Sequence, residues 1–263
     1  MKYLSVAIIF SVLLLSACKK EAPSFNSDVK SRLSVEFDNI AGSSNLQLNT
    51  GSYSNALGET FTVSKLKYYV SNFSFTKTDG TVYTVPQAES YFLIDESKPV
   101  SLSADFQVPE GEYKILSFIV GVDSSRSTMD ITERTGVLDP TGEGGDMYWG
   151  WNSGYIFFKM EGTSTASTAM EGSYMYHVGG FGGYHANTIN NIKPITIDLS
   201  ERGNPQVKTG KETNIHLMAD ILKMFNGVTN FSIAKNSMVM FDPLSTALAD
   251  NYADMFKHDH TEN

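Results

Sequence analysis

The chain has 263 residues, of which 41% are hydrophobic, 12% aromatic and 19% charged, and its formal net charge is −9. The aromatic content excludes a disordered chain, the single cysteine excludes a disulfide scaffold, and the acidic balance excludes a nucleic-acid binder. A folded acidic domain remains. All five histidines lie at or after position 177, and this clustering is a first indication of a metal or acid/base site.

The N-terminus has the pattern of a bacterial secretion signal. Met1-Lys2 is a short positive segment, and Tyr3 to Leu15 is an apolar run that is too short to span a bilayer comfortably. The run ends in Leu15-Ser16-Ala17-Cys18, which resembles the lipobox of lipoproteins. We therefore expect residues 1–17 to be a signal peptide and Cys18 to carry lipid, which would anchor the protein to a membrane. The alternative is an ordinary buried cysteine beside a cleavage site.

The predicted location follows from this signal. A lipid-anchored chain would lie in the bacterial cell envelope, facing the periplasm or the cell surface, with the outer membrane as the expected membrane. Residues 18–31 are mostly polar and lack periodicity, so they are predicted to be a lipidated tether. Residues 32–263 are predicted to form one domain, long enough for a large core.

Within the domain, short apolar runs alternate with turn signals. Leu33 to Phe37 and Ile195 to Leu199 alternate apolar and polar residues, and Tyr68 to Phe75 and Tyr113 to Val120 are rich in aromatic and β-branched residues. The pattern predicts an all-β fold, a β-sandwich of antiparallel strands. Short helical segments are expected near the C-terminus, at Asp220 to Phe225 and Thr246 to Phe256.

Sequence motifs for catalysis are mostly absent. The chain has no Gly-x-Ser-x-Gly elbow and no phosphate-binding loop, and Ser124 beside Asp123 is typical of a turn rather than of an activated nucleophile. We therefore expect the protein not to be an enzyme.

The histidines are the main candidates for a site. In an extended segment, His258-Asp259-His260 would place both imidazoles on one side, suited to a single metal, although the same residues also suit a solvated tail. His177 lies among aromatic residues, where a metal ligand and a hydrogen-bonded core residue are both open. His216 is interpreted as a surface residue, and His185, which follows a glycine-rich loop, is open to either interpretation.

Both tryptophans lie in one nine-residue segment, Met147 to Tyr155. Trp149 and Trp151 are two positions apart, so they would share one face of a strand. Large aromatic side chains on one face usually pack in a core, and exposed ones would suit stacking on a ligand.

The tryptophan segment also carries a family resemblance. Met147-Tyr148-Trp149-Gly150-Trp151-Asn152-Ser153-Gly154-Tyr155, followed by Lys159-Met160-Glu161-Gly162, resembles the tryptophan motif of the MbnP-like family, which comprises lipoproteins and periplasmic proteins related to a methanobactin-associated copper protein. Further segments occur in the order typical of that family: Leu66 to Phe73, Phe118 to Ser124, Gly136 to Pro140 and Tyr176 to Gly179.

The resemblance implies a β-rich extracytoplasmic domain that binds copper through histidines. In some relatives a tryptophan is oxidised to kynurenine by a di-haem peroxidase-like partner enzyme, and here the motif matches both Trp149 and Trp151 without distinguishing them. His177 lies in a matching segment, whereas His258 and His260 are added by spacing. With Met147 or Met175 nearby, a thioether would favour Cu(I).

The sequence thus supports one leading hypothesis and one alternative. The leading one is a lipid-anchored copper-binding protein for copper acquisition, storage or delivery, with His177, His258 and His260 as metal ligands and no catalysis of its own. The alternative is a metal-free surface module that binds glycan or protein through the tryptophans.

Overall fold

The computed structural model describes residues 24–152 and 154–263, and most of their regular structure is β-strand. The predicted signal peptide and Cys18 lie outside the described residues, as does part of the tether. The strands are β1 (Lys30–Ala41), β2 (Ser44–Asn45), β3 (Tyr53–Ser54), β4 (Thr60–Phe61), β5 (Lys65–Lys77), β6 (Val82–Thr84), β7 (Tyr91–Asp95), β8 (Ser103–Pro109), β9 (Gly111–Val120), β10 (Tyr148–Trp149), β11 (Gly154–Thr163), β12 (Ser173–Gly179), β13 (Lys193–Asp198), β14 (Gln206–Val207), β15 (Thr213–Asp220), β16 (Met238–Val239) and β17 (Phe256–Glu262).

Helices are short and mostly late in the chain. The α-helices are α1 (Ser124–Ser127), α2 (Lys223–Asn226) and α3 (Leu244–Tyr252), and 3₁₀ turns occur at Gln87–Glu89, Pro99–Ser101, Ile131–Glu133, Gly136–Leu138, Gly145–Met147 and Met170–Gly172. None of the described helices has the length and apolar character needed to cross a membrane.

The strands form two principal sheets. One has five strands: four follow the order β17-β15-β1-β2, and the fifth, β8, pairs with β1 on the edge away from β15. The other has ten strands in the order β13-β9-β5-β11-β12-β16, with four shorter strands paired at its sides. The all-β prediction is confirmed. Most pairs are antiparallel as expected, but β1 pairs with β15, and β12 with β16, in parallel.

The main core lies between the two sheets and is built largely from aromatic rings. Phe37 of β1 makes edge-to-face contacts with Tyr68 of β5 and Phe118 of β9, at centroid distances of 6.2 and 5.8 Å. All three side chains are at most 2% exposed. Since burial of one such side chain stabilises the fold by roughly 1.5–3 kcal/mol, these contacts hold the sheets face to face.

The predicted strands that line this core are found where expected. Alternation in Leu33 to Phe37 arises because Leu33, Val35 and Phe37 face the second sheet while the residues between them face outward. The second predicted helix, Thr246 to Phe256, is found as α3 at Leu244–Tyr252. It ends earlier than expected because the chain enters β17 at Phe256.

Candidate metal centre

The outer face of the five-stranded sheet carries the candidate site. In β15, Ile215 and Leu217 are fully buried against the second sheet, so the alternating pattern of a strand turns His216 to the outer face. His216 pairs with Glu36 of β1 on one side and with His260 of β17 on the other. A histidine that the sequence suggested to be an ordinary surface residue therefore lies between two potential partners.

The C-terminal histidines lie on a strand rather than on a solvated tail, but they do not share a face. His216 pairs with His260 and Leu217 pairs with His258, so two residues of β15 oppose three of β17 and Asp259 is the extra residue of a β-bulge. The bulge puts His258 opposite a core residue and His260 opposite an outward one. The expectation that both imidazoles lie on one side is therefore wrong.

His216, His260 and Glu262 form a group that has the spacing of a metal site. One nitrogen of each imidazole and one oxygen of Glu262 all lie within 4.8 Å of one another. Nε2 of His216 is 3.6 Å from Oε2 of Glu262, and the two imidazole rings stack at a centroid distance of 4.2 Å. Of the described residues, only these form such a group of three.

A carboxylate lies beside the second nitrogen of each imidazole. Nδ1 of His260 is 2.8 Å from Oδ2 of Asp259, and Nδ1 of His216 is 3.4 Å from Oε2 of Glu36. Carboxylates in this position keep the proton on Nδ1, orient the ring and leave the Nε2 lone pair for a metal. The bulge residue Asp259 thus has a second consequence, since it places an acceptor against its neighbour His260.

Asn214 lies next to the Nε2 atom of His216. Its Nδ2 donates to that nitrogen at 2.9 Å and to Oε2 of Glu36 at 3.0 Å, while the Ser34 hydroxyl donates to its Oδ1 at 2.9 Å. The amide orientation is thereby fixed, and Nε2 of His216 is an acceptor in this network. A metal that binds this nitrogen would therefore have to displace the hydrogen bond from Asn214.

The surroundings of the group are acidic. Burial raises the pKa of Asp38, and the nearby carboxylates of Glu36 and Asp259 raise it further. Such repulsion between neighbouring carboxylates is relieved by a bound cation.

His258 lies on the inner side of the same strand. It is 8% exposed, its Nε2 is 2.9 Å from Oγ1 of Thr261, and its buried Nδ1 has no hydrogen-bond partner among the described residues. Burial lowers the pKa of this imidazole. The strand therefore separates His258 from the group around His260.

His177 lies in the other sheet. It projects from β12, where its Nε2 is 2.8 Å from Oε1 of Glu161, and Lys65 lies 3.6 Å from the other oxygen of that carboxylate. The hydrogen bond from His177 is the largest cause that lowers the pKa of Glu161 to about 2. The structure does not bring His177, His258 and His260 together, and their assignment as one set of ligands stays a prediction.

The two tryptophans differ in exposure. Trp149 ends β10 and is 5% exposed, whereas Trp151 lies in the following turn and is 66% exposed. Their rings remain in contact, with centroids 5.4 Å apart. The pair therefore does not form one exposed stacking surface, because only Trp151 is accessible.

The remaining sequence candidates lie away from the group. Met147 is fully buried in a second hydrophobic cluster, and Met175 lies on β12, so neither thioether belongs to the sheet that carries His260. His185 is exposed beside the Tyr184 ring.

The donor set fits divalent copper. Two imidazole nitrogens and one carboxylate oxygen are ligands that copper(II) and zinc accept, and copper(II) is the divalent first-row ion that such sites bind most tightly. Without a thioether in the group, the donors favour Cu(II) over the Cu(I) that the sequence suggested.

Fold and site together define a class: a two-sheet all-β domain with an imidazole and carboxylate group on the outer face of one sheet. The MbnP family model matches residues 30–241, so the chain belongs to the MbnP family. His216 lies within the matched region, whereas His260 and Glu262 lie beyond it. The candidate centre is thus completed by a strand outside the family match.

A solved structure agrees with this fold. MbnP from Methylosinus trichosporium is similar with a TM-score of 0.54 and 16% sequence identity, over 81% of this chain and 82% of that chain. No curated protein matches the sequence.

Proposed function

We propose that this protein is a non-catalytic copper-binding protein of the bacterial cell envelope, which acquires, stores or delivers copper. The observation that carries the proposal is the group of His216, His260 and Glu262, whose donor atoms lie within 4.8 Å of one another. Membership of the MbnP family also supports the proposal, because the resemblance to that family implies copper binding through histidines.

The carboxylates behind the imidazoles also support the proposal. Ordinary surface histidines have no need of an acceptor at Nδ1, whereas metal-binding histidines almost always have one. Here Glu36 and Asp259 supply an acceptor for each ring. A bound Cu(II) would be held by Nε2 of both histidines and by Glu262, and these residues would orient it and balance its charge.

The proposal includes attachment through Cys18. The lipobox-like segment Leu15-Ser16-Ala17-Cys18 supports it, and the described domain begins its first strand at Lys30, which leaves a short tether between lipid and domain. Radiolabelled palmitate should be incorporated into the wild-type chain in its host, and a Cys18→Ala variant should remain unlabelled.

Copper binding is tested by competition with a chelator of known affinity. The purified wild-type chain should bind one Cu(II), and His216→Ala or His260→Ala should lower the affinity by at least about 100-fold, more than loss of an orienting partner usually costs. His258→Ala and His177→Ala are matched controls, the first on the same strand as His260. Unchanged affinity in the His216 and His260 variants would contradict the proposed ligands.

A further inference from the structure

Residues 26–29, here called the docked segment, precede β1 and are fixed to one end of the domain. Asn26 donates its backbone N–H to the Glu110 carboxylate at 3.0 Å. Nζ of Lys77 donates to the Ser27 hydroxyl at 3.1 Å. Residues close to a chain terminus are ordered where such contacts tie them down. The part of the tether nearest the domain is therefore held against it.

The two residues that hold the docked segment are themselves built into the domain. Glu110 is 5% exposed, and its carboxylate also accepts from the backbone N–H and the hydroxyl of Thr209, at 2.7 and 2.6 Å. Lys77 is 7% exposed, and its Nζ donates to the backbone oxygen of Glu110 at 2.7 Å. The backbone N–H of Glu110 donates to the oxygen of Val29 at 2.8 Å. Because hydrogen bonds to charged groups are strong, these contacts join the docked segment firmly to the turns after β5, β8 and β14.

Those turns lie at one end of the two-sheet domain. β1 begins at this end, where Lys30 pairs with Pro109, and it finishes at Ala41, which pairs with Ser44 at the far end. At about 3.3 Å per residue, the 12 residues of β1 separate the two ends by roughly 40 Å.

The tether ahead of the docked segment is shorter than this separation. From Cys18 to Asn26 the chain advances eight residues, which span at most about 29 Å even when fully extended. A lipid on Cys18 would therefore lie closer to the end that carries Glu110 than to the end that carries Ser44.

We propose that the docked segment, together with the turns around Lys77, Glu110 and Thr209, forms a surface that faces a lipid bilayer, and that docking holds the domain in this orientation. This inference rests on the proposed attachment through Cys18. The lipid supplies the membrane affinity, so the surface needs no headgroup site of its own.

The orientation has a consequence for the candidate metal centre. His216 pairs with Glu36, which lies about 20 Å along β1 from Lys30. The outer face of the five-stranded sheet would then stand upright on the membrane, with the metal centre clear of the lipid. A partner in the aqueous space beside the membrane could reach it.

The test uses the full-length chain lipidated in its host and reconstituted without metal into vesicles that carry a fluorescent acceptor on their headgroups. A donor dye is attached to Lys211→Cys at the docked end or to Ser44→Cys at the far end, since both side chains are exposed. An acylated Cys18 has no free thiol to take the dye. Energy transfer from position 211 should exceed that from position 44 by at least about twofold, because roughly 40 Å separates the two ends.

A variant of the docked segment separates docking from attachment. Asn26→Pro combined with Ser27→Ala removes the N–H bound by Glu110 and the hydroxyl bound by Lys77, and it leaves both sheets unchanged. Most of the difference between the two dye positions should then be lost. Ser24→Pro, just ahead of the docked segment, is the matched control and should keep the difference. Thermal denaturation checks that both variants fold as the wild type does.

The outcomes distinguish failure of attachment from failure of docking. If the wild-type chain takes up no palmitate, or if Cys18→Ala is labelled as strongly as wild type, attachment through Cys18 fails and this inference fails with it. If the chain is lipidated but transfer is equal from both positions, the orientation is overturned while attachment stands. The same holds if the double variant keeps the wild-type difference.

Discussion

The imidazole ring of His216 stacks on that of His260, with centroids 4.2 Å apart and planes only 11° from parallel. Each ring has a carboxylate at Nδ1, which leaves the two Nε2 atoms as the candidate metal ligands. Because each lone pair lies in its own ring plane, the rings would have to turn out of this stack to share one ion. The stack also joins β15 to the C-terminal strand β17. A metal bound here would therefore connect two strands as well as two side chains.

Orientation of the imidazoles gives the first prediction. Asp259→Asn and Glu36→Gln remove the charged acceptors but leave all three metal donors in place, so Cu(II) affinity should fall by about 10- to 100-fold. Chelator competition measures the change. Asp254→Asn, an exposed carboxylate just before β17, is the control and should bind copper as wild type does. Equal affinities for all four proteins would refute an orienting role.

Copper should also stabilise the fold. Because the metal binds only when β15 and β17 are paired, Cu(II) at 100 times its dissociation constant should raise the free energy of unfolding by about 2.7 kcal/mol. Thermal denaturation with and without Cu(II) measures this. His216→Ala should lose the copper-dependent shift, and a shift that persists in this variant would place the metal elsewhere.

The hydrogen bond between His177 and Glu161 predicts a dependence on acid. The pKa of Glu161 is about 2 in the folded protein and 4.5 ordinarily, because His177 donates to the carboxylate. A lowered pKa means that the stabilisation is complete above pH 4.5 and is lost as the pH falls toward 2.

Glu161→Gln should therefore cost roughly 2 kcal/mol at pH 7 and progressively less below pH 4.5. Urea denaturation at several pH values measures the difference between the two proteins. A difference that does not shrink in acid would contradict this role of the pair.

Exposure distinguishes the two tryptophans as targets of oxidation. Trp151 is 66% exposed and Trp149 is 5% exposed, so a partner enzyme that oxidises a tryptophan to kynurenine should act on Trp151. Peptide mass mapping of protein from its own host, compared with recombinant protein, locates any modification. Kynurenine at position 149 alone would contradict the prediction.

Gly179 gives a prediction on stability. A Cβ at this position would lie 2.2 Å from the backbone oxygen of Tyr155 and 2.9 Å from the Trp149 ring. Since the backbone of the adjacent strand has little room to move, Gly179→Ala should destabilise the fold by about 1–3 kcal/mol. Gly150→Ala, where a Cβ meets no atom of the described residues within 4 Å, is the control in the same thermal measurement.

The sequence predicts the fold better than the site. The alternation around Val35 and the aromatic run through Tyr68 report burial directly, because both strands have a face in the core. The position of His260 depends on the bulge at Asp259, which arises only when β17 pairs with β15. Likewise, His216 gains its partners from strands that are distant in sequence. The spacing of His258 and His260 and the family resemblance around His177 do not report which strands lie side by side, so neither signal predicts these pairings.

The most direct test of the copper site is anomalous diffraction at the copper absorption edge, from crystals of the Cu(II)-loaded protein. We predict one strong anomalous peak bonded to Nε2 of His216, Nε2 of His260 and a carboxylate oxygen of Glu262, at about 2 Å from each nitrogen. A peak at His177 or His258 instead, or no peak on the outer face of the five-stranded sheet, would contradict the account.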